Sequence, residues 1–421
     1  MSPSLLIKDV RIFDGENEIP NGSVLVENGL IKYVSPGSLE ATDESTIVLS
    51  KPGYTLIPGI IDGHVHTHLD KENTGLAQSL KFGVTTACDM HQEAEDVAAV
   101  REEAARNPDI SDFKTSSSAA TVLGGWPAAV VTAFDTSEET LAKVATWPNL
   151  QTLDDVEAYI QDRIKDKADY IKLMHEDGSS LSVKPTVPPL ELQKAIVDAA
   201  HRHGFVAVAH SLSLQGTLDI LRAGVDGLTH TFCDKPPTKE LIDAYLANNA
   251  HCNPTLATIG SLTTEGKKEQ EAYAHDPRVE KLLSAHGKAA LCECMAFSSD
   301  SARVEYAYQS VREMRAAGID IILGSDSAGP ARGTGFGITA HHELALLVKK
   351  CGFTPKEALR SATSLVAKRL RFHDRGRIAE GLRADLVLVE GNPLEDIDHT
   401  LDLRGVWKQG ILCSTYKDLV A

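Results

Sequence analysis

Eight short apolar runs, each followed by a stretch with helical spacing, constrain this chain more than any other feature. They occupy residues 60–66, 84–90, 115–122, 170–174, 206–210, 227–231, 251–256 and 319–324. Strands that run parallel need a crossover between them, and a helix supplies one, so this alternation favours βα units. Eight such units predict an α/β chain built on a (β/α)8 TIM barrel. A length of 421 residues exceeds an ordinary single domain but suits a barrel with a small addition.

Both ends of the chain read differently from the middle. Residues 6–13, 22–26 and 30–34 are short strand patterns, with Asp14-Gly15, Asn21-Gly22 and Asn28-Gly29 as hairpin signals. Residues 384–389 and 405–412 resume the same style. The expectation is a small β-sandwich domain assembled from residues 1–55 plus 377–421, beside a barrel domain of residues 56–376.

In such barrels the chemistry sits at the C-terminal strand ends. The first run closes on Pro58-Gly-Ile-Ile-Asp-Gly-His-Val-His66. His64 and His66 are two apart, so along a strand they share a face and converge on one point. The fourth run carries Lys172, the fifth ends at His210, the sixth reaches His230, and Asp326 follows the eighth. A strand-end histidine alone reads as a hydrogen-bonded core residue. Six such groups at matching ends point to one metal-holding cavity.

Lys172 faces away from Ile171 and Leu173, into the expected barrel. An isolated buried ammonium is costly, and burial drives a lysine toward its neutral form. A neutral amine captures carbon dioxide as a carbamate able to bridge two cations. A lysine paired with a carboxylate such as Asp326 is the alternative, and the residues alone leave both open.

These residues resemble the amidohydrolase superfamily, in its binuclear imidazolonepropionase-like and prolidase-like branch. The resemblance runs through Gly83-Val-Thr-Thr86, Tyr170-Ile-Lys-Leu-Met174 and Leu323-Gly-Ser-Asp326. It continues in His342-Glu-Leu344, Thr354-Pro-Lys-Glu-Ala-Leu-Arg-Ser-Ala-Thr363 and Gly376-Arg-Ile-Ala-Glu-Gly-Leu-Arg-Ala-Asp-Leu-Val387. It implies a first metal on His64, His66 and Asp326 and a second on His210 and His230. Lys172, N6-carboxylated, would bridge two divalent ions, for which imidazole and carboxylate suit zinc. It further implies hydrolysis of an amide bond (peptide-like, another C–N bond, or that of an N-acyl amino acid) in a small molecule. A metal-bridging hydroxide would attack, with Asp326 as the proton shuttle. An ester or lactone hydrolase on the same site is the alternative, ahead of a mononuclear deaminase or a non-catalytic scaffold.

The loops depart from that branch. His175-Glu-Asp-Gly178 follows the lysine run, and His230-Thr-Phe-Cys-Asp-Lys235 follows the sixth. His175 contacts substrate or orients a ligand. Trp126, in Gly124-Gly-Trp-Pro127, either packs on substrate or covers the rim. Arg332 clamps a carboxylate or is a solvated loop residue, and His68 reads as a loop or supporting residue. Cys292 and Cys294 read as buried packing in a helix.

Net charge of −17 argues against a nucleic-acid surface, and no run is long enough to cross a bilayer. Seven scattered cysteines and the absence of a signal-like start lead to a cytoplasmic expectation. Self-association as a homo-oligomer is left open. Residues 260–268 miss the phosphate-loop pattern, and no G-x-S-x-G elbow is present.

Overall fold

A computed structural model describes residues 4–41, 43–67, 74–329 and 331–419. The strands near the start are β1 (Leu5–Phe13), β2 (Glu18–Glu27), β3 (Leu30–Pro36), β4 (Ile47–Ser50) and β5 (Tyr54–Pro58). The middle holds β6 (Ile60–His66), β7 (Val84–Asp89), β8 (Asp112–Thr115) and β9 (Ile171–Met174). It continues with β10 (Ala207–His210), β11 (Gly227–Thr229), β12 (His251–Asn253) and β13 (Ser327–Ala328). The chain finishes with β14 (Leu386–Glu390), β15 (Leu403–Lys408) and β16 (Ile411–Leu412).

Strands from both ends join in one eight-stranded sheet, ordered β16-β15-β14-β5-β1-β2-β3, with β4 beside β1. The pairing gives a single connected ladder where a two-sheet sandwich was expected. Asp14-Gly15 and Asn28-Gly29 lie in turns between paired strands, but Asn21-Gly22 lies inside β2. The reason is close approach: a Cβ on Gly22 would sit 2.7 Å from Ile12 Cδ1 and 2.9 Å from Ser35 O. Alternation on β14 divides the two cores. Leu386 and Leu388 face a cluster with Ile7, Val10, Ile12 and Trp407, whereas Val387 and Val389 face the larger central cluster.

The middle forms two four-stranded sheets, β13-β6-β7-β8 and β12-β11-β10-β9, every pair parallel. Isolated bridges, not continuous ladders, span the gaps between them. Ala120 pairs with Leu173 at one, and Ile321 pairs with Cys252 at the other, where Gly63 N–H also donates to Leu323 O at 3.0 Å. The third expected strand is therefore displaced. Only Asp112–Thr115 pairs with β7, and the chain then turns through Ser117 at φ 55° before Ala120 meets β9. The eighth run likewise yields a bridge at Ile321, and β13 beyond it pairs with β6. Cys292 and Cys294 fall just past the helix Ala285–Leu291 and are half-buried, so the expected helical packing pair is not formed. Among the described residues no helix is long and apolar enough to cross a membrane.

One lysine ties the terminal sheet to the central unit. Lys408 on β15 is 3% exposed, and its Nζ donates to Ala104 O, Asn107 O and Ile110 O at 2.7–2.8 Å. Three ammonium protons thus meet three carbonyls at and beyond the end of the helix Val97–Arg106. Lys408→Met keeps the apolar stem but strands those acceptors. We expect a loss of roughly 3 kcal/mol in unfolding free energy, read by urea titration; an unchanged midpoint would refute the clamp.

Candidate metal centre

β6 delivers His64 and His66 to the end of its sheet, and the turn after Leu323 brings Asp326 beside them. Asp62, wholly buried, fixes that approach. It accepts hydrogen bonds from His64 N–H at 3.2 Å, Ser325 N–H at 2.9 Å and Ser325 Oγ at 2.6 Å. Asp326 N–H then donates to His64 O at 2.7 Å. The result is a tight triad. His64 Nε2 and His66 Nε2 are 3.1 Å apart, and each lies 3.2 Å from Asp326 Oδ1. Three lone-pair atoms this close suit a shared cation better than shared protons, and the three residues form a candidate metal site.

A second group adjoins the first. The Lys172 side chain on β9 is 1% exposed and meets Thr229 Oγ1 of β11. Among the described residues no carboxylate lies within ion-pair distance of it, although Asp326 and Asp89 still attract its charge. Burial pushes the Lys172 amine down to about 7. His230 Nδ1 lies 2.7 Å from Thr255 Oγ1, and His210 Nε2 lies 3.0 Å from Glu176 Oε2. The rings run together: His64 to His230 is 4.9 Å between centroids, and His230 to His210 is 4.6 Å. Burial, reinforced by the neighbouring Lys172, holds His64 and His210 well below the ordinary imidazole range. Burial does the same for His230. Neutral imidazole is the form that ligates metal.

Asp326 is ionised in this setting. Burial opposes its charge, but the His66 hydrogen bond and the attraction of His230 and His66 hold the carboxyl below its usual value. Imidazole nitrogens with one carboxylate and one near-neutral amine are a donor set that suits a divalent ion.

An amidohydrolase family model matches residues 55–417 of this sequence. The chain belongs to the amidohydrolase family. Its members are generally metal-dependent hydrolases, and the His64–His66–Asp326 site agrees with that. Ochratoxinase from Aspergillus niger is 28% identical over 273 residues, covering 62% of this chain and 49% of the ochratoxinase, so the match spans about half of that relative. Imidazolonepropionase from Deinococcus deserti is 41% identical over 70 residues, 16% of this chain and 18% of that protein. A solved Xaa-Pro dipeptidase with bound methionine superposes with a TM-score of 0.74 at 21% identity. That superposition covers 97% of this chain and 99% of the other, a likeness of fold.

The remaining expected site residues of this amidohydrolase fall in different places. Trp126 joins the cluster, its indole stacked on His210 with centroids 4.8 Å apart and planes 19° from parallel. His175 is buried, donates its N–H to His210 O at 3.2 Å, and packs its ring near Gly216, with Nδ1 unpartnered. Arg332 is exposed and pairs with Glu293 at 3.2 Å, and no described contact brings it to the cluster. His68 lies outside the described residues.

Several residues of the site escaped the sequence reading. Glu176, Thr229, Thr255 and Asp62 each touch a strand-end group directly, and Glu343 acts one step further out. Glu343 reaches in from the helix Ile338–Cys351 and accepts Leu256 N–H at 2.8 Å and Ala257 N–H at 2.9 Å. It thereby fixes the start of the helix Leu256–Leu262, whose preceding residue Thr255 holds His230. Its place in His342-Glu-Leu344 was visible, but its target was not.

Burial pushes the Glu343 carboxyl from an ordinary 4.5 up to about 8. A raised carboxyl means ionisation opposes folding, so its contribution is complete at low pH and is lost as pH climbs through that range. Glu343→Gln removes the titration. We expect the melting temperature of the parent to fall more steeply than that of Glu343→Gln between about pH 5 and pH 8. Parallel profiles in a thermal-shift series would refute it.

Proposed function

We propose that this amidohydrolase is a binuclear, metal-dependent enzyme that cleaves an amide bond in a small molecule. The bond is peptide-like, another C–N bond, or that of an N-acyl amino acid. The observation that carries the reading is the buried Lys172 amine, unpaired with a carboxylate among the described residues, on the sheet that also presents His210 and His230. Its near-neutral amine is ready to take up carbon dioxide, and a carbamate there would serve two ions at once. We read the two parallel half-sheets as a (β/α)8 barrel opened at its seams. Residues 1–55 plus 377–421 then form the composite β domain, and residues 56–376 the barrel.

His64, His66 and Asp326 would hold one divalent ion, zinc by donor type, with His210 and His230 holding the other and Lys172 between them. When bound, such ions polarise a scissile carbonyl and bring the pKa of water toward neutrality. The chain's own part is positioning and proton transfer. Asp326, ionised and set beside His66, receives the proton released on attack at a carboxylate oxygen and delivers it to the leaving amine. Asp62 keeps that carboxylate in place through Ser325. Trp126 closes one side of the space with its indole over His210, a flat apolar wall that limits water. The names of the relatives, Xaa-Pro dipeptidase and ochratoxinase among them, support an amide-type substrate.

A panel of N-acyl amino acids, dipeptides, aryl amides and lactones tests the reaction class. Turnover confined to lactones or esters would overturn the amide reading. Lys172→Ala is expected to lose most bound metal and activity, with partial rescue by short carboxylic acids; full activity in the variant would remove the bridging role. Asp326→Asn is expected to bind a slow substrate but to lose turnover by at least about a hundredfold. A normal single-turnover rate would exclude Asp326 from proton transfer.

A further inference from the structure

Glu176 follows β9 in the segment His175-Glu-Asp-Gly178, and it is 1% exposed. Two main-chain donors orient it before it reaches the cluster. Gly178 N–H donates to its Oε1 at 2.8 Å and Leu212 N–H to its Oε2 at 3.1 Å. The same Oε2 stands 3.0 Å from His210 Nε2. Resting on the binuclear reading, we propose that Glu176 is a positioning residue for the second metal position, taking the His210 Nε2–H so that Nδ1 becomes the ligating atom.

The chemistry follows from the single proton of a neutral imidazole. Each Glu176 oxygen already accepts a main-chain N–H, so it meets His210 as an acceptor; the nitrogen that faces it then carries the hydrogen and the other carries the lone pair. An anionic partner also raises the basicity of the ligating nitrogen. The Trp126 indole lies flat on the same ring, so stacking fixes its plane while Glu176 fixes its rotation within that plane. His230 is held the opposite way. Its Nδ1 meets Thr255 Oγ1, leaving Nε2, and the two rings stand at 82° to each other. The pair thus offers different nitrogens to the space between them.

A simple loop-tying role for Glu176 makes a different forecast. Asp177 and Ser180 bind the same neighbouring loop without touching His210. Ser213 Oγ donates to Asp177 Oδ2 at 2.7 Å, and Ser180 Oγ donates to Leu212 O. Asp177→Asn therefore isolates loop tying from ligand positioning.

The full chain, stripped by chelator and titrated with Co2+ in bicarbonate buffer, gives stoichiometry, affinity and visible absorption together. The parent is expected to take two ions. In Glu176→Gln one of the two is expected to bind about 10–100-fold more weakly, with a changed absorption spectrum and the other affinity retained. Asp177→Asn is expected to keep both affinities, and the metal-free melts of the two variants to coincide. Two ions at parental affinity in Glu176→Gln would overturn the proposal alone. So would an equal weakening in Asp177→Asn, or a metal-free Glu176→Gln that melts well below Asp177→Asn. A parent chain that takes a single ion would instead overturn the binuclear reading beneath it.

Discussion

Packing basic side chains into one dry interior is the condition around which this molecule is arranged. His64, His210, His230 and Lys172 are all buried together, and burial strips each of its proton affinity. Neutral nitrogens at such spacing still need partners, because a buried polar atom left alone costs free energy. The fold meets that demand with oxygen atoms brought in from neighbouring segments: Thr229 for Lys172, Thr255 for His230, Glu176 for His210. Thr255 and Glu176 each leave the other nitrogen of their histidine uncommitted. Burial therefore serves the chemistry as well as the core.

Legibility in the sequence followed locality. β6 was readable to its ends, because an apolar run closing on two same-face histidines has few other interpretations. The placement of Lys172, His210, His230 and Asp326 near one another followed from the strand-end rule alone. Residues whose task is to hold those groups were not readable. Thr255 stands at the start of a helix whose Leu256 N–H is capped by Glu343, 87 residues beyond Leu256. No spacing pattern encodes that pairing. The third run was misplaced for a similar reason. Three successive serines, the middle one (Ser117) left-handed, break the ladder there, and hydropathy gives no sign of the break. Gly22 was read as a turn, whereas side-chain crowding by Ile12 explains it within a strand.

Family membership and chain-specific detail occupy separate parts of the molecule. His64, His66 and Lys172 sit on strands and Asp326 just before one, where the fold fixes them, whereas Glu176 and Asp177 belong to the segment after β9. Its carboxylates point back onto the metal-side histidine and the adjoining loop rather than outward. Differences among related hydrolases are usually sought in the residues that touch substrate. In the proposed binuclear site, Glu176 would act on a ligand before it acts on any substrate.

The order in which strands are joined bears on how the protein comes into being. β5 leads through Gly59 directly into β6, and β5 is paired on one side by β14. Thr55 and Gly391, which meet across that seam, are 336 residues apart along the chain. During synthesis the strand carrying His64 and His66 therefore emerges more than 300 residues ahead of the neighbour that steadies its root. Until then the histidines have a backbone but no fixed address. The histidine strand of such a nascent chain gains that support only after the described α-helices have been made.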